Sequence, residues 1–123
     1  MPISTTTMLK RSFDSPDETR PAGAGQAQII NVEDTAMMRI TLQPGWRWSR
    51  DVKPIAGGDS CQAPHFQYII QGRMHIKMDD GSEDEFGPGD LLVAPPGHDG
   101  WVVGNEEFVC IDVTGGGIWA KPS

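Results

Sequence analysis

The chain has 123 residues and a formal net charge of −7, with 10 Lys and Arg against 17 Asp and Glu. This length fits one domain and is too short for a barrel of alternating strands and helices, which takes about 250 residues. The acidic charge argues against nucleic-acid binding, because phosphate contacts require Lys and Arg. Apolar runs such as Leu91–Ala94 are far shorter than the ~20 residues of a membrane helix.

The N-terminus and the cysteines indicate the compartment. The first ten residues contain no basic segment followed by an apolar stretch, so the sequence predicts no secretory signal. The two cysteines, Cys61 and Cys110, are too few for a disulfide scaffold. We therefore predict a cytoplasmic protein with reduced thiols and no membrane partner.

Two regions differ in composition. Residues 1–26 are rich in Ser, Thr, Pro and Gly and show little apolar periodicity. They are predicted to form an N-terminal arm, either a loosely ordered tail or partly paired as an edge strand. Residues 27–123 are predicted to form one domain, because strand and turn signals alternate throughout it.

Short strands account for most of this domain. They are predicted at 28–32, Thr35–Leu42, His65–Gln71, Arg73–Met78, 82–86, Leu91–Ala94, 101–103, 108–113 and 118–119. Asp79-Asp80-Gly81 favours a tight hairpin, because Asp-Gly supplies the positive φ that such a turn requires. No stretch shows helical periodicity over a helical length. Many short strands separated by turns are typical of an all-β sandwich or barrel.

Two segments of the domain resemble the two motifs of the cupin superfamily. The first runs from Cys61 to Met74 and contains His65-Phe66-Gln67, then Gln71-Gly72. The second runs from Gly87 to Trp101 and contains Gly89-Asp90, then Pro95-Pro96-Gly97. The resemblance covers roughly residues 35–113. It implies an all-β fold consisting of a single jelly-roll β-barrel.

The metal ligands of the superfamily are only partly present. The resemblance implies two His and one Glu in the first motif and one His in the second. Here His65 matches the first His, and Gln67, Gln71 and Gly100 stand at the other three positions. Gln offers only a neutral carbonyl oxygen, which suits Zn and Fe poorly. We expect either no cofactor or one divalent transition metal (Fe, Mn, Ni or Zn), held by His65 and His98 with Cys61 as a third ligand.

Strand parity predicts a ligand pocket. Residues 65, 67 and 71 share one face of their strand, which is taken as the barrel interior. The residues predicted to line the pocket and bind a small molecule are His65, Gln67, Gln71, His98, Trp101 and Trp48. His75 alternates with Met74 and Ile76, so it is predicted to lie on the surface.

Two functions are open at this stage. One is a cupin that binds a small molecule in its barrel without the usual metal centre. The other is a metal-dependent cupin enzyme of the oxygenase, isomerase or decarboxylase type, with an atypical centre built on His65 and His98. Enzymatic activity is therefore left open.

A homodimer is predicted from the outer face of one strand. The resemblance implies pairing, because cupins commonly pair. Phe66, Tyr68 and Ile70 also form an apolar face that points away from the proposed interior and needs cover. The alternative is that the N-terminal arm covers this face within one chain.

Overall fold

The computed structural model describes residues 4–113 and 119–121. In these residues the chain forms nine strands, all paired antiparallel, and two single-turn helices. The strands are β1 (Glu18–Pro21), β2 (Gly25–Val32), β3 (Thr35–Leu42), β4 (His65–Gln71), β5 (Arg73–Met78), β6 (Glu83–Phe86), β7 (Leu91–Ala94), β8 (His98–Val103) and β9 (Phe108–Asp112). The helices are α1 (Trp48–Asp51) and α2 (Lys53–Ala56). Neither described helix has the length and apolarity needed to span a membrane.

Most strands lie where the alternation of apolar and polar residues predicts them. The predicted bounds of β3, β4, β5 and β7 are confirmed, whereas β8 begins three residues earlier than predicted, at His98. Part of the predicted arm is a strand, because β1 pairs with β2 at the edge of a sheet. The predicted strand at 118–119 is not formed at Trp119, which lies in a turn, and residue 118 lies outside the described residues.

The strands form two sheets that share one core. The larger sheet has the order β1-β2-β3-β9-β4-β7, and the smaller has the order β6-β5-β8. Ile40 and Ile69 of the larger sheet join Met74 and Val102 of the smaller sheet in a single hydrophobic cluster. This confirms the mostly β prediction.

The prediction of a single jelly-roll β-barrel is confirmed only in part, because the two sheets are not closed into a barrel. The edge strands β6 and β7 belong to different sheets, and the turn at 87–90 leads the chain from one to the other. A cavity of about 280 Å³ lies between these two edges.

Gly72 carries the chain from the larger sheet to the smaller one. It is the one residue between β4 and β5, and its φ of +78° lies in the left-handed region. A Cβ at this position would lie 2.6 Å from the carbonyl oxygen of Glu107 and 2.8 Å from the Cα of Phe108. Both the backbone conformation and the space at this crossing therefore require glycine.

We expect Gly72→Ala to lower the free energy of unfolding by about 2–4 kcal/mol, since the left-handed backbone costs ~1–2 kcal/mol and the backbone at 107–108 must also move. Gly81→Ala is the matched control. Gly81 has a φ of +92°, but no atom lies within 4 Å of a Cβ there. Gly81→Ala should lower the free energy of unfolding only by the cost of the left-handed backbone, about 1–2 kcal/mol. Urea unfolding measures both, and equal losses would contradict the steric argument.

Candidate metal centre

A small cavity lies between the sheets, next to the residues at which β4 and β8 begin. Its volume is about 30 Å³, which is close to the share of one molecule in liquid water. Apolar side chains form most of its wall, among them Ile40, Leu42, Trp46, Leu92, Phe108 and Trp119. The cavity has room for an ion or a water molecule, but not for an organic ligand.

Three metal-ligating side chains meet at this cavity. The donor atoms of Cys61, His65 and His98 all lie within 4.8 Å of one another, and all three residues are buried. The backbone fastens the segment before β4 to the start of β8. The Cys61 N–H donates to the His98 carbonyl oxygen at 2.7 Å, and the Gly97 N–H donates to the Cys61 carbonyl oxygen at 2.7 Å. This pairing places the thiol beside both imidazoles.

A buried carboxylate orients His65. Its Nδ1 lies 2.6 Å from Oδ2 of Asp112, and its Nε2 lies 3.9 Å from Sγ of Cys61. Gln67 faces Asp112 in the register of β4 with β9, and its Nε2 donates to the same Oδ2 at 2.9 Å. Because a carboxylate only accepts hydrogen bonds, a neutral His65 keeps its proton on Nδ1. Its Nε2 lone pair then faces the thiol.

A backbone carbonyl orients His98 in the same way. Nδ1 of His98 lies 2.9 Å from the carbonyl oxygen of Pro95. Since a carbonyl accepts, Nδ1–H is the donor, and Nε2 of the neutral ring is left as the electron-pair donor. Histidines that bind metals usually donate their other ring N–H to a carboxylate or a backbone carbonyl. Both imidazoles of the cluster have this arrangement.

The environment of the cluster shifts the pKa values of Cys61 and His65. Burial alone would raise the pKa of the Cys61 thiol, but hydrogen bonds and charge from His65 and His98 outweigh it and lower the pKa to about 6. Burial alone would lower the pKa of His65, whereas the hydrogen bond to Asp112 and the contact with Cys61 raise it to about 9. The site therefore favours the thiolate, which is the form of Cys that binds metals.

In metal-free protein, we expect Cys61 to titrate with a midpoint near pH 6. Thiolate ultraviolet absorbance should rise through this pH and be missing from Cys61→Ser. Because this pKa is lowered from 9.0 to about 6, the thiolate's contribution to stability is fully present above pH 9 and is lost as the pH falls through 6. Cys110 is the internal control, because burial and the charge of Asp112 raise its pKa. A midpoint at the value of a free thiol would contradict the geometry.

The two glutamines of the predicted pocket have different positions. Gln67 lines the cavity, but its amide is bound to the Asp112 carboxylate. Gln71 is not among the described residues that line the cavity. A register shift between Ile69 and Gln71 turns it aside, and its Nε2 donates to the Glu107 carbonyl oxygen at 3.1 Å.

Of the two predicted tryptophans, Trp48 lines the cavity and Trp101 does not. The buried residues of β8 are the even-numbered ones, so Trp101 lies on the outer face of the smaller sheet. There it stacks on His75, with ring centroids 4.6 Å apart, and the Arg47 guanidinium lies 4.2 Å from its ring. The placement of Trp101 in the pocket is therefore corrected by strand parity. His75 lies on that outer face, as predicted.

Gly100 stands where the superfamily has its second-motif His, and it faces the cavity. A Cβ at Gly100 would lie 2.8 Å from Cδ1 of Ile76 and 3.4 Å from Sδ of Met74. The volume that a ligand at this position would need is therefore filled by core side chains. The metal-ligating side chains that do meet at the cavity lie nearer the start of β8, at His98.

Asp112 is the site residue that the sequence did not indicate. It is 1% exposed and lies at the end of β9. The one available signal was a carboxylate on the inward parity of an otherwise apolar strand. Its partner His65 is 47 residues away along the chain, so the pairing depends on the register of β4 with β9.

Comparisons with known proteins show what this chain is similar to. A family model described as an EutQ-like cupin domain matches residues 56–110. A search of curated proteins found no match. The solved structures described next are all less than 25% identical to the chain, so they show the fold alone.

Three solved structures with a similar fold are an enzyme domain, a protein of unknown function and a conserved barrel protein. The S161A mutant of Bacillus subtilis oxalate decarboxylase is 22% identical with a TM-score of 0.61, covering 91% of this chain and 31% of that one. The chain thus spans about a third of that enzyme's length. A protein of unknown function from Rhizobium leguminosarum is 16% identical (TM-score 0.62, 96% and 100% covered). A Cupin 2 conserved barrel protein from Salinispora arenicola is 19% identical (TM-score 0.61, 88% of each chain covered).

Proposed function

We propose that this chain is a member of the cupin superfamily, with which residues 56–110 and the fold are similar, and that it binds one divalent transition-metal ion through Cys61, His65 and His98 and acts with it on a small molecule. The superfamily's usual ligand set does not fit here, because Gln67, Gln71 and Gly100 replace three of its four positions. The observation that supports the alternative set is the convergence of three buried donor atoms within 4.8 Å.

The charges of the site suit a dication. The Cys61 thiolate offsets one positive charge, and the Asp112 carboxylate behind His65 offsets the other. One thiolate and two imidazoles form a borderline-soft donor set, which suits zinc among the common divalent ions. Three protein ligands leave a fourth position for water or substrate, where a bound ion lowers the pKa of water or polarises a substrate oxygen. We therefore propose zinc.

Cavity size favours this proposal over a metal-free barrel that holds an organic ligand. A cavity of about 30 Å³ is smaller than the several hundred Å³ of usual ligand pockets. A cytoplasmic location is part of the proposal, because a reducing compartment keeps Cys61 available as a thiolate.

The metal content of purified protein tests the proposed function. Elemental analysis should give close to one zinc per chain, and His75→Ala should keep the same content because His75 lies outside the cavity. Metal-free protein that carries an organic ligand, and that takes up no ion when zinc is added, would contradict the proposal.

A homodimer is also proposed, from an apolar patch on the outer face of the larger sheet. The patch consists of Phe66, Tyr68, Ile70, Leu91 and Val93, which are between 45% and 72% exposed. Phe66 pairs with Val93 and Tyr68 with Leu91 in the register of β4 with β7, so the patch is continuous. An exposed apolar surface of this kind is typical of an interaction site.

The N-terminal arm does not cover this patch in the described part of the chain. Arg11 donates to the carbonyl oxygen of Asn31 at 3.3 Å, and Gln28 donates to that of Phe13 at 3.0 Å. These contacts hold the arm along β2, near the opposite edge of the larger sheet. The division into an arm at 1–26 and a domain at 27–123 stays a prediction.

Analytical ultracentrifugation at micromolar protein concentration should give a molecular mass twice the 13.4 kDa of one chain. Tyr68→Glu places a charge in the centre of the patch and should shift the protein to monomer. Leu9→Glu is the matched control, because Leu9 is an exposed apolar residue of the arm. A wild-type monomer would overturn the homodimer.

A further inference from the structure

A second, larger pocket lies beside the cavity. Its volume is about 440 Å³, and Trp48, Cys61 and Trp119 line both spaces. We refer to it as the outer pocket. These three residues form the wall between the outer pocket and the cavity, and one of them, Cys61, belongs to the donor cluster. A molecule in the outer pocket therefore lies next to the Cys61 side of the cluster, while the cavity itself has room only for an ion or a water molecule.

The lining of the outer pocket defines the shape of its ligand. Gly57 and Gly58 contribute backbone without side chains, and the buried Trp48 and Trp119 also belong to the lining. A lining made mostly of apolar residues suits an apolar ligand, and the two tryptophans at the wall favour a flat one. The volume lies within the range of usual small-molecule sites, about 300–1,000 Å³.

The charge of the lining defines the polar group of the ligand. Lys121 is the one charged residue among the described residues that line the outer pocket, and it is exposed. Lys121 also interacts with Glu18. The pKa of Glu18 is lowered mainly by Arg20, which lies 2.9 Å away, and the charge of Lys121 adds to this lowering. The net charge of −7 opposes anions at long range, but physiological salt screens it beyond about 8 Å. Lys121 therefore favours one carboxylate.

We propose that the outer pocket binds the organic substrate of the metal centre, and that this substrate is a flat, apolar monocarboxylate whose carboxylate pairs with Lys121. The assignment as substrate rests on the proposed metal function. The assignment as a binding site rests on the pocket alone. The closing experiment separates the two.

The probe is 2-naphthoate, with neutral 2-naphthamide as its uncharged counterpart, measured by calorimetry on chelator-treated and zinc-loaded protein. We expect 2-naphthoate to bind both forms with a dissociation constant below about 1 mM. It should bind about five- to tenfold more tightly than the amide, because the carboxylate forms a charge-assisted hydrogen bond. Lys121→Gln should reduce this preference to within twofold. Lys53→Gln, an exposed lysine outside the pocket, should leave it unchanged.

A second readout locates the bound probe. Saturating 2-naphthoate should slow alkylation of Cys61 in metal-free protein at least fivefold, because Cys61 lies in the shared wall. This inference would be overturned by any of three results: 2-naphthoate does not bind, its preference over the amide survives in Lys121→Gln, or it does not protect Cys61 from alkylation. Each of these results would leave the metal proposal standing. Binding with protection in a protein that takes up no metal would overturn the proposed function and retain the outer pocket as a binding site.

Discussion

His98→Ala is expected to weaken zinc binding by at least about 100-fold while the protein stays folded. Residues that only support a metal ligand typically contribute 10–100-fold in affinity, so the loss of a ligand itself should exceed that range. Nε2 of His98 is the donor atom left open by the Pro95 carbonyl. His65→Ala should have a similar effect. Competition with a chromophoric chelator measures the affinity, and far-ultraviolet circular dichroism checks the fold.

His75→Ala is the matched control for both variants. His75 lies on the outer face of the smaller sheet, stacked on Trp101 and 2.7 Å from Glu83. Its removal should change zinc affinity less than twofold. Equal weakening by His75→Ala and His98→Ala would show that strand parity does not determine the site.

Asp112→Asn is expected to have the second largest effect, because it changes both metal affinity and stability. The carboxylate faces Nδ1 of His65 and accepts from Nε2 of Gln67. The amide of Asn would direct its NH₂ group toward one of these two donors and would no longer orient His65 as a metal ligand. Zinc affinity should therefore fall about 10–100-fold. The free energy of unfolding of the metal-free protein should fall by about 1–3 kcal/mol, because buried polar groups lose a partner.

The pH dependence separates this effect from a general packing defect. The folded pKa of His65 is raised from 6.5 to about 9. Its contribution to stability is therefore fully present below pH 6.5 and is lost as the pH rises through 9. The difference in stability between the wild type and Asp112→Asn should shrink from pH 6.5 to pH 9.5 in urea titrations. Asp84→Asn, on the exposed strand β6, is the control and should change neither quantity. A difference independent of pH would contradict the ion pair.

The fold was predictable where local signals were strong. Alternation and flanking glycines set the bounds of β4 and β5, which match the structure. β1 carries no apolar pattern, because its one buried residue is Arg20, and it forms through pairing with β2. α1 and α2 have four residues each, too few for helical periodicity to appear. The open edges of the two sheets depend on how the strands twist and meet, which no local pattern encodes.

The candidate site was predictable to the extent that strand parity applies. Parity placed His65 and Gln67 inside, and the structure agrees. It failed at Gln71, where a register shift interrupts β4. Trp101 was placed in the pocket because it follows the second motif, not by parity, and the parity of β8, whose even-numbered residues face inward, puts it outside. Asp112 depends on the pairing of two distant strands.

The most direct test of the metal centre is a cobalt titration of chelator-treated protein followed by absorption spectroscopy. Cobalt reports its ligands, because a bound thiolate gives a charge-transfer band in the near ultraviolet. We predict saturation at one equivalent, with this band present in the wild type and His75→Ala and missing from Cys61→Ser. Failure to saturate, or a spectrum that Cys61→Ser leaves unchanged, would contradict a centre built from Cys61, His65 and His98.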